Sequence, residues 1–378
     1  MLAEAQRAET SRALAAAFDS TPPGTIGVEE ELMLCSPATF TLEPIAEEAL
    51  RALGDEDGFH PELLAGQVEI VTPPVSGPTA AAERLLGGRA RLAAAVEGRA
   101  RVVAAGAHPF QVHAEVADRA RYRRLAAEIP FAVPRAMIFG LHVHVAVGGA
   151  ERSLAVHNAL RSFLPEICAL AANAPFLGGR DSGMASVRPT LFGAFPRTGV
   201  PPAFASWDQL ADFLAWGRTS GAFADASFVW WDLRAHPRFG TLEVRIADVQ
   251  TRVEDAAAIA ALVHSLAAWL AERHDRGERL PVHDRDRIAQ GTWLAARDGL
   301  GGALPDLESG GARPTRERIA ALLDELAPVA RRLGCGDELK GARRLLAANG
   351  AERQRAVAAR EGMAGLMAWL ADETEGRR

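Results

Sequence analysis

Polar and apolar residues alternate from Thr241 to Ala247, in the second half of the stretch between Trp230 and Val249, and this pattern predicts a strand with charges on one face. One side would carry Thr241, Glu243, Arg245 and Ala247, and the other Leu242, Val244 and Ile246. Phe228, Trp230, Trp231 and the turn 235–240 flank the strand. Charges framed by large apolar residues are typical of a cleft lining, while the alternative is the exposed polar face of a half-buried strand.

A second strand is predicted within residues 21–34, where the alternation puts Glu29 and Glu31 on one face and Glu30 on the other. Two carboxylates about 5 Å apart at an effective dielectric of about 20 repel each other by roughly 3 kcal/mol. Exposure to solvent would relieve this repulsion, and so would a divalent cation such as Mg²⁺, which prefers carboxylate oxygen.

Two more strands carry isolated polar residues in apolar surroundings. Residues 60–72 place Glu69 inside an apolar run, with Glu62 in the preceding loop. A buried carboxylate is costly unless it is paired or bound to a metal. Residues 137–148 place His142 and His144 on one face of an otherwise apolar strand. Such a pair is compatible with satisfied core histidines or with metal and phosphate contacts.

Most of the remaining chain shows the 3.6-residue period of amphipathic helices. Helices are predicted at residues 77–99, 113–128, 151–173, 206–220, 254–271, 284–298, 315–332, 337–348 and 351–372. A short buried strand is predicted at 101–107. We expect a single catalytic domain over residues 1–378, in which a helical part from about 251 to 378 packs on a sheet-rich part from about 21 to 250.

The composition narrows the possible partners. The 378 residues are 48% hydrophobic and 24% charged with a net charge of −6, which argues against nucleic acid or an anionic membrane as a partner held by bulk electrostatics. Cys35, Cys168 and Cys335 lack metal-ligand or paired spacing, and the N-terminus lacks an uninterrupted apolar signal region. We therefore expect a cytoplasmic protein.

The polar faces of the four strands form one candidate site. Its members are the residues Glu29, Glu31, Glu62, Glu69, His142, His144, Glu243 and Arg245. Five carboxylates in one basin call for about two or three Mg²⁺ ions, which take their remaining ligands from phosphate oxygens and so predict a nucleoside triphosphate as the ligand. Neither a Walker phosphate loop nor a GxGxxG fingerprint is present. Arg188, Arg238, Arg245 and Arg297 would complement a substrate carboxylate and a transferred phosphoryl group.

Together these segments resemble the carboxylate-amine ligase family, also called glutamate-cysteine ligase type 2, which is related to glutamine synthetase. The likeness is carried by TIGVEEEL, HPELLAGQVEIVTPP, GLHVHV, AANAPF and WWDLRAHPRFGTLEVRIADVQ, and it extends over nearly the whole chain. It implies an α+β fold in which helices back a curved, mainly antiparallel sheet with the active site on its concave face. It also implies that ATP phosphorylates a carboxylate and that an amine attacks the acyl phosphate.

The resemblance also implies roles for individual residues. The implied metal ligands are Glu29, Glu31, Glu62, Glu69, His142 and Glu243. His144 would contact phosphate or nucleotide, and Arg245 would hold the substrate carboxylate or the transferred phosphoryl group. With these we expect Arg188 to be catalytic and Arg238 and Arg297 to bind ATP.

Several alternatives stay open at the level of the sequence. Glutamate-cysteine ligation on small-molecule substrates is the default activity, and a guanidino-type phosphotransferase or a non-catalytic nucleotide- or metal-binding regulator are the alternatives. Asp232, Asp248 and His144 are all candidates for the base that deprotonates the amine. A homodimer is compatible with the amphipathic helices.

Overall fold

The computed structural model describes residues 2–54 and 58–377. Its helices are α1 Leu2–Ser20, α2 Ala46–Leu53, α3 Pro78–Ala95, α4 Ala120–Glu128, α5 Ala150–Leu160, α6 Leu164–Ala171, α7 Arg188–Phe192, α8 Trp207–Thr219, α9 Val253–Asp275, α10 Arg285–Asp298, α11 Thr315–Arg332, α12 Gly336–Ala347 and α13 Gly350–Thr374. Its strands are β1 Ile26–Cys35, β2 Phe59–Pro61, β3 Gln67–Val71, β4 Arg101–Val103, β5 Gly140–Val145, β6 Phe176–Leu177, β7 Arg180–Asp181, β8 Thr198–Gly199, β9 Trp230–Trp231, β10 Leu233–His236, β11 Thr241–Asp248, β12 Ala303–Pro305 and β13 Ala312–Pro314.

An antiparallel sheet forms the centre of the molecule. Its strand order is β10-β11-β5-β1-β3-β2, and β4 pairs with the far end of β1. Each strand pairing in this sheet is antiparallel. The predicted α+β class with an antiparallel sheet and helices is therefore confirmed.

Several predicted elements are shorter or divided. The helix expected at 151–173 is interrupted, because Pro165 lies in the first turn of a new helix, α6, and cannot continue α5. The helix expected at 113–128 begins only at Ala120, and the strand expected at 60–72 is split into β2 and β3. The N-terminal helix α1 was not predicted.

One face of the sheet is packed against helices. Val28 and Leu32 of β1 and Leu141 and Val143 of β5 are completely buried. Helix α9 contacts β5 and also α3, α5, α11 and α12, while α3 contacts β1, β3 and β4. Burial of these apolar side chains at about 25 cal/mol per Å² supplies much of the stability of the sheet.

Helix α9 has the length and apolar composition of a membrane span, and among the described helices it alone does. However, 83% of its most apolar window is buried inside the fold. It is therefore the core helix on which the sheet packs.

A β-bulge interrupts β11 near its end. Val244 pairs with Val143 and Ala247 pairs with Leu141, so two residues of β11, Arg245 and Ile246, oppose one residue of β5. Directly opposed side chains share a face, so Ala247 lies with Leu141 on the packed face. The prediction that Ala247 shares a face with Glu243 and Arg245 was wrong, because the extra residue reverses the alternation.

A buried ion pair joins β1 to α3 on the packed face. The Arg89 guanidinium donates from Nε at 2.8 Å and from Nη2 at 2.5 Å to the two carboxylate oxygens of Glu30. It also donates to the carbonyl oxygens of Gln250 and Thr251, at 2.8 and 2.7 Å. Glu30 is thus separated from Glu29 and Glu31, as the alternation predicted, and it fixes the strand that carries them.

We expect Arg89→Ala to lower the free energy of unfolding by about 3–5 kcal/mol, because it leaves the Glu30 carboxylate buried without its partner. The matched control is Arg84→Ala, which removes an exposed arginine from the same helix and should change stability by less than about 0.5 kcal/mol. Denaturant unfolding measures both variants. Equal losses would show that the ion pair does not stabilise β1.

Candidate active site

The sheet register brings acidic and imidazole side chains from four strands together on the face opposite the α9 core. Glu29 of β1 pairs with His142 of β5, and Glu31 of β1 pairs with Glu69 of β3. Glu243 of β11 pairs with His144. The sequence prediction that Glu29, Glu69 and Glu243 belong to one cluster is therefore matched by the cross-strand pairing.

Glu29 lies between the two histidines. Its Oε2 is 3.0 Å from His142 Nδ1, and its Oε1 is 3.0 Å from His144 Nε2. The other ring nitrogen of His144 lies 2.9 Å from Thr241 Oγ1. Burial acts to raise the pKa of Glu29, but the hydrogen bonds with the two histidines outweigh it and leave the pKa below its ordinary value. Glu29 is thus a fixed anion.

Glu243 is completely buried and held by two arginines. Arg234 of β10 donates to both of its oxygens, from Nε at 2.7 Å and from Nη2 at 3.1 Å. Arg245 Nη1 donates to Glu243 Oε1 as well. Burial acts to raise the pKa of Glu243, but Arg234 and Arg245 hold it well below its ordinary value.

A pocket of about 510 Å³ opens above this network. Its acidic lining consists of Glu29, Glu31, Glu62 and Glu69. The histidines and arginines that line it are His60, His142, His236, Arg121, Arg188, Arg234, Arg238 and Arg245. Its remaining wall includes Tyr122, Phe192, Phe195 and Trp230. A pocket of this size, mixing charges with aromatic side chains, is typical of a small-molecule site.

The acidic residues at the β3 side of the pocket have raised pKa values. Burial, with the neighbouring Glu31 charge, raises the pKa of Glu62 to about 7. Burial and the charges of Glu29, Glu62 and Glu31 raise the pKa of Glu69 well above its ordinary value. Glu62 therefore retains its proton below about pH 7, and Glu69 retains its proton to a higher pH than an ordinary glutamate does. A bound cation would displace these protons.

The donor set fits divalent cations. Ligand atoms of Glu29, His142 and Glu243 lie within 4.8 Å of one another, and so do those of Glu31, Glu69 and His142. His142 Nε2 is buried and has no hydrogen-bond partner among the described residues. Carboxylate oxygens with imidazole suit Mg²⁺ or Mn²⁺. Glu62 lies in the same pocket, where its Oε2 accepts a hydrogen bond from the backbone N–H of Leu63 at 3.1 Å.

The predicted arginines do not all reach the pocket. Arg188, Arg238 and Arg245 line it. Arg297 does not; it ends α10, donates to Asp298 at 2.7 Å from both Nε and Nη2, and lies over the Trp293 ring. The expectation that Arg297 belongs to this site finds no support in its position, because the last turn of α10 faces a separate hollow shared with Asp181 and Arg355.

Comparison with known proteins places the chain in a family. The model of glutamate-cysteine ligase family 2 matches residues 25–373. The chain belongs to glutamate-cysteine ligase family 2. It is 40% identical to a Rubrobacter xylanophilus protein named "Putative glutamate--cysteine ligase 2-3", over 94% of this chain and 99% of the relative. It is 34% identical to "Putative glutamate--cysteine ligase 2" of Thermobifida fusca, over 90% and 88%.

Solved structures of ligases share the fold of this family member. The glutamate-cysteine ligase of Francisella tularensis, crystallised with AMP, matches with a TM-score of 0.66 at 12% identity over 95% of this chain and 89% of that one. A bifunctional glutathione synthetase from Pasteurella multocida matches with a TM-score of 0.66 at 16% identity over 98% of this chain and 54% of that one. The chain therefore shares its fold with a glutamate-cysteine ligase and with a bifunctional glutathione synthetase.

The sequence reasoning missed two groups in this family 2 site. Arg234 was not singled out, although it alternates with His236 in the hairpin strand that faces Glu243 and could have been found by that spacing. Tyr122, the only tyrosine, lines the pocket and donates to the Pro61 carbonyl at 3.2 Å. Nothing in its local pattern indicated this, because α4 reaches the pocket only through tertiary packing.

We expect Mg²⁺ to stabilise this family 2 protein more at pH 8 than at pH 5.5. The pKa values of Glu62 and Glu69 are raised above the ordinary 4.5. The free energy of unfolding therefore falls as the pH rises from about 4.5 through 7, because these buried carboxyls lose their protons. Bound Mg²⁺ would neutralise the negative charges that result. An Mg²⁺ concentration one hundred times its dissociation constant adds about 2.7 kcal/mol to the free energy of unfolding.

Thermal unfolding with Mg²⁺ and with a chelator measures this gain at each pH. The Glu69→Gln substitution removes one carboxylate that binds either a proton or the cation. The stabilisation by Mg²⁺ should therefore be smaller and less dependent on pH. An equal gain at both pH values in the unmodified protein would contradict the assignment of these carboxyls to the cation site.

Proposed function

We propose that this protein joins a carboxylate to an amine with ATP as the phosphoryl donor, through an acyl phosphate, with L-glutamate and L-cysteine as its default substrates. The observation that carries the proposal is the convergence of Glu29, Glu31, Glu69 and His142 with Arg188 and Arg245 on one pocket. This arrangement combines a cation cluster with guanidinium groups that bind anions.

In the proposed reaction an oxygen of the substrate carboxylate attacks the γ-phosphorus of ATP, and ADP leaves. The amine nitrogen then attacks the acyl carbon, phosphate leaves, and the amine loses a proton. Mg²⁺, when bound, would neutralise charge on the phosphate oxygens. Phosphoryl transfer needs little covalent help from protein groups, so the side chains act mainly by positioning and by charge.

The arginines would receive the anionic groups of the substrates. Arg188 is buried and Arg245 is partly buried at the pocket wall, and the Nε of each has no hydrogen-bond partner among the described residues. A planar guanidinium can bind a carboxylate or phosphoryl group through two parallel hydrogen bonds. His144 lies beneath the pocket in contact with Glu29, and Arg238 lines the pocket as the remaining candidate contact for ATP.

Fewer candidates for the general base remain once the side-chain contacts are known. Both carboxylate oxygens of Asp248 already accept hydrogen bonds, from Asn173 and Ser186. Burial raises the pKa of Asp232 to about 6, with nearby Arg188 and Arg245 acting against it, but neither aspartate is among the described residues that line the pocket. His144 does not line the pocket either, but unlike the two aspartates it contacts a residue that does, Glu29, and it therefore stays in the proposal.

Several further features support the proposal. The relatives' names point to glutamate and cysteine, and the Francisella tularensis ligase was crystallised with a nucleotide. Cys35, Cys168 and Cys335 are buried free thiols, which supports a reducing cytoplasm as the place of action. The partners we propose are small molecules, with no nucleic acid and no membrane.

A phosphate-release screen with ATP, Mg²⁺, glutamate and a panel of amines tests the function. We expect phosphate to appear only when both a carboxylate and an amine are present, with one amide formed per phosphate. A guanidino-type phosphotransferase would instead leave a stable phosphorylated product. No turnover with any pair, at any of several Mg²⁺ concentrations, would contradict the proposal.

The same assay tests the cation cluster. Glu29→Gln keeps the side-chain volume but removes the charge between the histidines, so we expect phosphate release to fall at least about 100-fold, or about 2.7 kcal/mol. Glu83→Gln, at an exposed position of α3, is the matched control and should retain full activity. Near-normal kinetics of Glu29→Gln would exclude Glu29 as a metal ligand.

A further inference from the structure

A chain of buried polar side chains leads from α13 towards the pocket. Gln354 Nε2 donates to Asn173 Oδ1 at 2.8 Å, and the backbone N–H of Asn173 donates to Asp248 Oδ2 at 2.7 Å. Ser186 Oγ donates to Asp248 Oδ1 at 2.9 Å, and the backbone N–H of Arg188 donates to Ser186 Oγ at 3.3 Å. Each of these five residues is at most 4% exposed.

The last member of the chain, Arg188, is the one that lines the pocket. Its Nη1 donates to the carbonyl oxygens of Arg245 and Ile246, at 3.1 and 3.3 Å. These are the two bulge residues of β11, whose carbonyls are freed from regular pairing with β5. A Cβ on Gly140 would come within 2.4 Å of Arg188 Nη2, so the path of the guanidinium requires glycine at this position.

Asp248 connects the bulged strand to the segment that begins α7. It is the last residue of β11, three residues after Arg245, while Ser186 lies two residues before Arg188. The two oxygens of Asp248 are directed at Ser186 and Asn173, and the residue is not among those that line the pocket. Its carboxylate therefore acts on the protein and does not contact substrate.

We propose that Asp248 and Ser186 are positioning residues that hold Arg188 in the pocket beside Arg245. The inference rests on the proposed function, in which Arg188 binds an anionic group of a substrate. The Asp248 carboxylate ties the end of β11 to the start of α7, so the carbonyls that receive Arg188 and the backbone that carries it keep a constant separation. Asn173 and Gln354 extend this support to α13.

The physical reason is that a guanidinium which binds an anion through two hydrogen bonds must be placed accurately. A displacement of about 1 Å can lower a rate by about 100-fold. The backbone bonds of Ser186 and Val187 to Ala296 and Ala174, at 2.9 and 3.0 Å, fix the segment but not the tilt of its side chains towards β11. Among the hydrogen bonds of residues 2–54 and 58–377, only that of the Ser186 hydroxyl joins residues 186–188 to Asp248.

A double-mutant cycle on phosphate release tests the proposal in the full-length protein. We expect Ser186→Ala to lower kcat/KM roughly 10- to 100-fold, with the KM of the substrate bound by Arg188 rising. In an Arg188→Ala background the same substitution should lower kcat/KM less than about twofold, because a residue that acts through Arg188 has nothing left to position.

The matched control is Ser182→Ala, which removes a hydroxyl from the same loop. Among the described residues, the Ser182 hydroxyl forms hydrogen bonds with Pro175 and Met184 only. Its effect should be the same in both backgrounds. Additive effects of Ser186→Ala and Arg188→Ala would overturn the proposal. Asp248→Asn, which keeps the shape of the side chain, provides a second cycle with the same expected non-additivity if Ser186→Ala does not fold.

A crystal structure of Ser186→Ala, or of Asp248→Asn in its place, provides a readout that does not depend on turnover. We expect the Arg188 guanidinium to leave the carbonyl oxygens of Arg245 and Ile246. If Arg188 keeps both hydrogen bonds, the positioning proposal is overturned whatever the activity. If Arg188 moves but no carboxylate and amine pair releases phosphate in the unmodified protein, the positioning proposal stands and the proposed function fails.

Discussion

Repulsion among carboxylates on one sheet face is the constraint on which this molecule depends. Glu31 and Glu69 lie directly opposite each other on adjacent strands, an arrangement that is unfavourable for like charges. Glu29 and Glu243 lie further along the same face and are both held as anions. The repulsion among the carboxylates is relieved in different ways at the two sides of the sheet. Arginine and histidine partners stabilise the charge at the β11 side, whereas at the β3 side burial and neighbouring carboxylates raise the pKa values of Glu62 and Glu69.

The opposite face of the same strands supplies the rigidity that this arrangement needs. Glu30, between the two pocket glutamates, is tied to Arg89 of α3, and the apolar residues beside it pack on the α9 layer. Strand β1 therefore cannot rotate its carboxylates away from one another without breaking a buried ion pair. The apolar packing on α9 and the Glu30–Arg89 ion pair offset part of the free energy that the charge repulsion in the pocket costs. A bound divalent cation would offset the remaining repulsion.

Much of this organisation was predictable, because strand alternation alone separates Glu29 and Glu31 from Glu30 and puts His142 with His144. The acidic and imidazole residues that these faces share then indicated that the faces meet, and the cross-strand pairing agrees. The bulge in β11 was not predictable from alternation, since the pattern of apolar residues continues through it. Consequently Ala247 was assigned to the wrong face. Asp248 was considered as a base because the sequence does not show that its oxygens are both engaged within the protein. The expectation that Arg297 belongs to the site finds no support in its position, because the sequence does not predict which way the last turn of α10 faces.

The most direct test of the central claim is a Mn²⁺ titration followed by electron paramagnetic resonance, combined with anomalous diffraction from crystals soaked in Mn²⁺. We expect bound ions to contact Glu29, Glu31, Glu69 and His142, and we expect that binding to be lost in Glu29→Gln. Crystals that take up no Mn²⁺ in this pocket at pH 8, with the carboxylates still in place, would contradict it.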